Sequence, residues 1–428
     1  MSITKEFLNQ VGPGFCLAKW TQATIHLGTG LTHSCHHTKV NHIDAEAVQK
    51  DPFLLHNTEK KCSDRDAMRA GHRLPDCNYC WRVEDSDAGV SDRVRKSAAP
   101  WSEVDVRSII DRNWEDTVKF PRSLEVSFSN ACNLACAYCG PTFSSKWAEE
   151  VKLQGPYNIN GIPYNAYAVP QILNRDYNPY IDAFWKWFPV IAKGLYEFRI
   201  TGGEPLMSKE TFKIIEMISK SSYENLDFAV NTNGCPPDKT WESFCKKLSD
   251  LDAKKRCKSI TVYASAEASG PQAEYIRDGL DWPKFKSNIE LLLESTTNTK
   301  VAFMSTVTIL SLPSISDFCD WVVYLKQQYG DKRVRVDFTQ IKHPEFLDPK
   351  NFAEESTISW LETAKQRFVS TSIEAEKLGI IQNTVTANTQ TGTTEKTKSN
   401  LRRFLEIYDQ RRNKNFKSTF AEFDSIYQ

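Results

Sequence analysis

Three cysteines fall within eight positions of "SNACNLACAYCG" (Ser129 to Gly140), spaced as Cys132-x3-Cys136-x2-Cys139. Thiolates at this density bind metals, and the usual complement for structural zinc or a cubane iron–sulfur cluster is four. Three thiolates can hold three irons of a 4Fe-4S cubane and leave the fourth open to an exchangeable ligand. Zinc would need a fourth protein ligand, and the next cysteine, Cys235, is remote in sequence. A redox dithiol would use Cys136 and Cys139 and leave Cys132 unexplained.

A second set lies upstream. Cys16 in "FCLAKW", Cys35 in "GLTHSC", and Cys77 and Cys80 in "DCNYCW" offer four thiolates with one Cys-x2-Cys pair. Such a set can bind zinc or a 4Fe-4S cluster. Cys62 is a fifth candidate. His33, His36 and His37 crowd Cys35, either as a polar loop without ligation or as a replacement ligand should Cys35 not serve.

The 428 residues carry 54 basic and 54 acidic side chains, a balance that argues against a nucleic-acid or membrane-surface partner. No run is apolar enough to span a bilayer, and "MSITKEFLNQVGPG" lacks the apolar stretch of a signal peptide. Twelve cysteines then point to a reducing, cytoplasmic location, where metal ligation outweighs disulfides. Seven of the eight histidines lie within the first 72 residues, which sets the N-terminal region apart chemically.

The elements that position these groups follow from hydrophobic periodicity. Strands are expected at 124–129, 195–201, 226–231, 259–265, 301–309 and 333–338, with helical patterns between them. Six strand–helix units imply a parallel sheet, open or as an incomplete barrel, whose ligand sites lie at the C-terminal strand ends. The cysteine triad follows the first strand. "TGGEP" (201–205) ends the second, "NTNG" (231–234) the third and "SAEAS" (265–269) the fourth. All the unusual chemistry thus falls on one rim.

The expected organisation is a Cys/His-rich domain over 1–95, a charged linker over 96–120, the strand–helix repeat over 121–345 and a helical extension over 346–428. An aromatic-rich insertion over 155–190 reads as a lid or as packing. "QNTVTANTQTGTTEKTKSN" near the end reads as a flexible loop.

Taken together, these residues resemble the radical S-adenosylmethionine (SAM) superfamily. The triad with Tyr138 before its last cysteine, and Gly202-Gly203-Glu204-Pro205 at the next strand end, match that superfamily's motifs. Asn233-Gly234, Ser265, Glu267 and "AEYIR" ending at Arg277 follow in the family's order, so the resemblance spans about residues 120–345. It implies a partial (β/α)6 TIM-like barrel. The amino and carboxylate groups of SAM would chelate the open iron, Gly202 to Pro205 would meet the amino group, and Arg277 would pair with the carboxylate. Asn233 is a further cofactor contact. Ser265 and Glu267 would take the ribose hydroxyls, Glu267 standing where many relatives carry Asp.

The order Cys16…Gly30-x4-Cys35…Cys77-x2-Cys80 is similar to the auxiliary-cluster pattern of twitch and SPASM domains. Those domains usually follow the barrel, whereas this region precedes it. The likeness implies a second, fully ligated 4Fe-4S cluster, with zinc as the alternative. The implied reaction is reductive cleavage of SAM to a 5′-deoxyadenosyl radical that abstracts hydrogen from a substrate, with a one-electron donor such as flavodoxin or ferredoxin. A small or carbohydrate-like substrate is the first expectation. Methyl or aminocarboxypropyl transfer on the same scaffold, or a non-enzymatic module stabilised by a cluster or zinc, are the alternatives.

Overall fold

The computed structural model describes residues 4–86, 89–99, 102, 105–107, 120–165, 177–388 and 394–423. Its strands are, in chain order, β1 (Gln22–His26), β2 (Leu31–His33), β3 (Asn41–His42), β4 (Ser123–Ser127), β5 (Ala135–Cys136), β6 (Tyr157–Ile159) and β7 (Ile162–Tyr164). There follow β8 (Glu197–Thr201), β9 (Tyr223–Thr232), β10 (Cys257–Ser265), β11 (Arg277–Asp278), β12 (Lys300–Val307) and β13 (Val334–Gln340). The six expected strands correspond to β4, β8, β9, β10, β12 and β13. Among the described residues, no helix is long and apolar enough to cross a membrane.

The chain divides into two units. The first comprises Met1–Ser129, Gln171–Thr201 and Tyr223–Phe228; the second comprises Asn130–Pro170, Gly202–Ser222 and Ala229–Gln428. In the first unit β1 runs parallel to β4 and β4 parallel to β8, while β2 and β3 continue antiparallel. Alternation along these strands separates two faces. Ala23, Ile25, Leu124, Val126, Phe198 and Ile200 are buried on one. The helix Pro179–Ile191 packs its Phe184 and Phe188 there, with ring centroids 5.4 Å from Phe128 and 4.7 Å from Phe198. On the other face Thr24, Glu125 and Arg199 stand in register and half-buried.

No strand was expected before residue 124, yet β1 lies inside the Cys/His-rich segment and pairs directly with β4. Its five residues alternate too briefly to stand out from the cysteines and histidines around them. The N-terminal segment also has its own core, in which Leu8, Phe15, Leu17, Trp20 and Met68 surround Cys77, Cys80 and Trp81.

In the second unit β10, β12 and β13 are parallel, with Ser265 opposite Met304 and Met304 opposite Asp337. The end of β9 lies beside β10. The helices Asp238–Ala253, Trp282–Ser295 and Ile315–Tyr329 connect the strands. The C-terminal region is helical, with Glu355–Lys365, Ile373–Ala387 and Glu395–Arg412. The last two run into both ends of the segment expected to be a loop, because burial of Ile381, Val385 and Leu401 outweighs the weak helix propensity of the threonines around them. The expected linker over 96–120 lies largely outside the described residues, as does 166–176 of the aromatic insertion. The described flanks of that insertion are the β6–β7 hairpin and the Pro179–Ile191 helix, whose aromatic rings pack inward.

Candidate functional site

The cysteine triad occupies a loop of the second unit that is tied down residue by residue. Cys132 N–H donates to Ser145 Oγ (3.1 Å), and Ser144 Oγ donates to the Leu134 carbonyl (2.7 Å). Trp147 Nε1 donates to the Cys136 carbonyl (2.8 Å), Asn165 Nδ2 to the Cys139 carbonyl (3.1 Å), and the Arg412 guanidinium to the Ala135 carbonyl. The short strand β5 pairs antiparallel with β11, setting Cys136 opposite Arg277. Burial pushes the Cys136 thiol up to about 12 and the Cys139 thiol up to about 11, with Arg277 opposing both shifts. Three thiols whose anions are penalised by desolvation are matched by a cationic metal centre, which deprotonates thiols on ligation. Three thiols on one loop are a donor set that fits a thiolate-bound metal centre, an iron–sulfur cluster included.

The Gly202–Pro205 segment meets this loop through its backbone. A Cβ on Gly203 would sit 2.4 Å from the Ala131 carbonyl oxygen, so only glycine permits the approach, and Glu204 N–H donates to that same oxygen (2.7 Å). Gly202 has φ +126°, a conformation other residues rarely adopt. The Glu204 side chain points into the protein. Its Oε1 accepts from Leu206 N–H (3.0 Å) and Thr232 Oγ1 (3.0 Å), and its Oε2 from Asn233 N–H (2.6 Å). Burial raises its pKa to about 7 against these three donors. Asn233 continues the chain of contacts, donating from Nδ2 to Asn133 Oδ1 (2.8 Å) with Cys132 Sγ at 4.0 Å.

Glu267, one residue beyond Ala266 after β10, is buried, and so is Arg277. Arg277 donates from Nε (3.1 Å) and Nη2 (2.6 Å) to Glu267 Oε2, and Tyr138 OH donates to the same oxygen (3.1 Å). Arg277 Nη1 lies 3.7 Å from Cys136 Sγ. Burial opposes the guanidinium charge, but Glu267, Tyr138 and Cys136 outweigh it and shift the Arg277 pKa up. Glu267 Oε1 is buried without a hydrogen-bond partner, an acceptor that a ligand hydroxyl would satisfy. Ser265 is half-buried at the end of β10. The Arg277–Glu267 pair was not foreseen from sequence, since ten residues separate partners on different elements and no periodicity links them.

Cys16, Cys35, Cys77 and Cys80 line one cavity of the first unit, together with Lys19 and Arg93. Cys77 and Cys80 are buried, on the turn Pro75–Cys77 and the helix Asn78–Asp85. Burial pushes Cys77 up to about 12 and Cys80 up to about 11, and the charges of Cys16 and Cys35 add to both. Lys19 opposes the shift at Cys77. His33 Nδ1 lies 3.1 Å from the Cys35 carbonyl, and His37 Nε2 lies 2.8 Å from Asp92 Oδ2. Cys62 is outside this cavity, its thiol 3.7 Å from the Asn57 carbonyl.

Residues 126–321 match the Radical SAM superfamily. A probable GTP 3′,8-cyclase of Methanocaldococcus jannaschii is 27% identical over 206 residues, covering 46% of this chain and 55% of that protein. GTP 3′,8-cyclase 3 of Mycobacterium tuberculosis is 32% identical over 114 residues, covering 26% of this chain and 24% of its own. The match thus spans about a quarter to about half the length of these curated relatives. Among solved structures, Streptococcus suis SuiB bound to S-adenosylmethionine aligns with a TM-score of 0.35 at 15% identity, covering 76% of this chain and 63% of SuiB.

Proposed function

For a Radical SAM superfamily enzyme whose matched segment is residues 126–321, we propose reductive cleavage of SAM at a 4Fe-4S cluster held by Cys132, Cys136 and Cys139 on a partial barrel. A cluster held there would supply the electron that breaks a sulfonium carbon–sulfur bond of SAM, so that methionine and a 5′-deoxyadenosyl radical able to take hydrogen from a substrate would result. The observation that carries this reading is convergence. Gly203 touches the loop at Ala131, Asn233 reaches Cys132, and Arg277 reaches Cys136.

The side chains divide the work. Glu204 positions rather than ligates, since its oxygens tie the Gly202–Pro205 turn to Thr232 and Asn233. This leaves the backbone of Gly202 and Gly203 to meet the amino end of SAM. Arg277, expected to meet the SAM carboxylate, is engaged by Glu267 and places its remaining nitrogen at Cys136. Glu267 in turn keeps Oε1 for a ribose hydroxyl, with Ser265 two residues before it at the end of β10.

A second 4Fe-4S cluster at Cys16, Cys35, Cys77 and Cys80 belongs to the same proposal. Zinc–sulfur bonds of about 2.3 Å require sulfurs about 3.8 Å apart in a tetrahedron. Neither cysteine set has three donor atoms within 4.8 Å of one another, a spread that favours a polynuclear centre over one ion. The substrate would be a small polar molecule, and the electron would come from a flavodoxin- or ferredoxin-like donor. Reduction of the reconstituted chain with SAM should release 5′-deoxyadenosine. Methylthioadenosine or S-adenosylhomocysteine as the sole product would replace hydrogen abstraction with group transfer, and intact SAM would end the enzymatic reading.

A further inference from the structure

Among the described residues, one group of metal-ligating side chains has its donor atoms within 4.8 Å of one another: Cys35, His36 and His37. They are consecutive, in the turn that follows β2. The four-cysteine set is wider than this, so two geometries of different size share Cys35.

We propose that Cys35, His36 and His37 form a site that can take a single divalent transition ion of borderline softness, such as zinc, in competition with the four-cysteine cluster. One thiolate and two imidazoles are a zinc-type donor set, and a water completes the tetrahedron. The surroundings brace a half-buried His37 and an exposed His36. Asp92 Oδ2 lies 2.8 Å from His37 Nε2 and 3.5 Å from His36 Nε2. A carboxylate on one ring nitrogen turns the other toward a metal and raises its basicity. The Tyr79 ring stacks on His37 at 4.1 Å between centroids and 17° between planes, which holds the imidazole in place. Ser91 caps the helix Asp92–Ser97, accepting from Val94 N–H, which fixes Asp92 at the helix start.

The consequence concerns occupancy and rests on the four-cysteine cluster proposed above. Cys35 cannot serve both centres, so an ion held by Cys35, His36 and His37 withdraws one ligand from the larger site. The N-terminal unit would then choose between a single ion and a cluster, according to which metal reaches it first.

The test uses the full chain with Cys132, Cys136 and Cys139 replaced by Ala, stripped of metal under anaerobic conditions and titrated with Co²⁺. One equivalent should bind with a thiolate-to-cobalt absorption band of single-thiolate intensity. His36→Ala and His37→Ala should each weaken binding more than tenfold, and Asp92→Asn by about 10- to 100-fold. Cys16→Ser, Cys77→Ser and Cys80→Ser should leave affinity and band intensity within twofold. A multi-thiolate band that is lost with Cys77→Ser and indifferent to the histidines would overturn the proposal, as would absence of any band. Should the triple variant not fold, the difference between the wild-type chain and His37→Ala reads the same quantity. Iron reconstitution of the same protein, with and without prior zinc, tests the cluster separately: failure to take up iron without zinc removes the cluster and leaves the cobalt result standing.

Discussion

The two cysteine sets differ more in their surroundings than in their count. Around Cys132, Cys136 and Cys139 the neighbours are glycine backbone, the Asn233 amide and the Arg277–Glu267 pair, with one buried carboxylate oxygen unsatisfied. Around Cys16, Cys35, Cys77 and Cys80 they are a hydrophobic core that takes in Cys77 and Cys80, and the ion-paired side chains of Lys19, held by Asp64, and Arg93, held by Glu84. The first arrangement keeps polar groups in hand for a small molecule. The second packs Cys77 and Cys80 into a hydrophobic core beside ion pairs that are already closed, which suits a fully ligated centre. A missing thiolate is therefore informative only when its place is flanked by groups that can bind something else.

The sharpest way to break this comparison is to remove one set at a time. Replacing Cys132, Cys136 and Cys139 with Ala should abolish SAM cleavage and lower reconstituted iron from about eight per chain to about four. Replacing Cys77 and Cys80 should also leave about four, but with 5′-deoxyadenosine still formed on reduction. Iron analysis paired with product detection distinguishes them. Identical losses of activity from both replacements would mean that the sets act as one centre.

The buried pair beside Cys136 offers the next largest effect. Arg277→Met strands the Glu267 carboxylate in a buried site and should destabilise the second unit by about 3–5 kcal/mol. Adding Glu267→Gln should recover most of that loss, because a neutral amide needs no counter-charge. Chemical denaturation of the single and double variants measures both. Equal stability of the two variants would show that the pair contributes no coupling, and that Tyr138 alone satisfies Glu267.

The contrast between the sets also marks how far the amino-acid sequence could be read. Spacing alone grouped Cys132, Cys136 and Cys139, and strand periodicity put Gly202–Pro205 and Asn233 on the neighbouring ends, where the structure has them. These signals are local: each needs only a motif and the strand it terminates. What escaped is set by contacts between distant residues. Arg412 reaches the Ala135 carbonyl from the C-terminal helix, and its guanidinium lies 4.4 Å from the Trp147 ring centroid. Arg277 comes opposite Cys136 through the β5–β11 pairing, a ladder of two residues per strand that no periodicity reveals, and its side chain meets Glu267 from there. The pairing of β1 with β4 was hidden for a similar reason, five residues being too few to distinguish a strand from a cysteine-rich loop.

Glu204 supplies a smaller, pH-dependent effect confined to the three-cysteine side. Its pKa is about 7 in the folded protein, against 4.5 for an ordinary glutamate, with burial as the main cause. The folded state therefore binds the proton more tightly than the unfolded state. Its contribution to stability is fully present below about pH 4.5 and is lost as pH rises toward 7. The slope is at most about 1.4 kcal/mol per pH unit within that window. Glu204→Gln cannot titrate, so the melting temperature of the wild type should fall relative to the variant between pH 5 and pH 7. A constant difference would mean that Leu206, Thr232 and Asn233 keep the carboxylate ionised throughout.

The smallest effect should come from the ring that holds the cysteine loop from behind. Trp147 is fully buried and donates from Nε1 to the Cys136 carbonyl at 2.8 Å. Trp147→Phe keeps an aromatic surface beneath Arg412 but removes the donor, leaving that carbonyl one partner short. A neutral hydrogen bond contributes about 1 kcal/mol net, equivalent to roughly fivefold in an equilibrium. Iron should consequently leave the three-cysteine site several-fold faster under chelator challenge, while the four-cysteine site, in the other unit, keeps its rate. Monitoring the two populations by their separate spectra makes the second site an internal control. Equal acceleration at both would show that Trp147 acts through global stability, and that the loop at Cys136 holds its geometry without it.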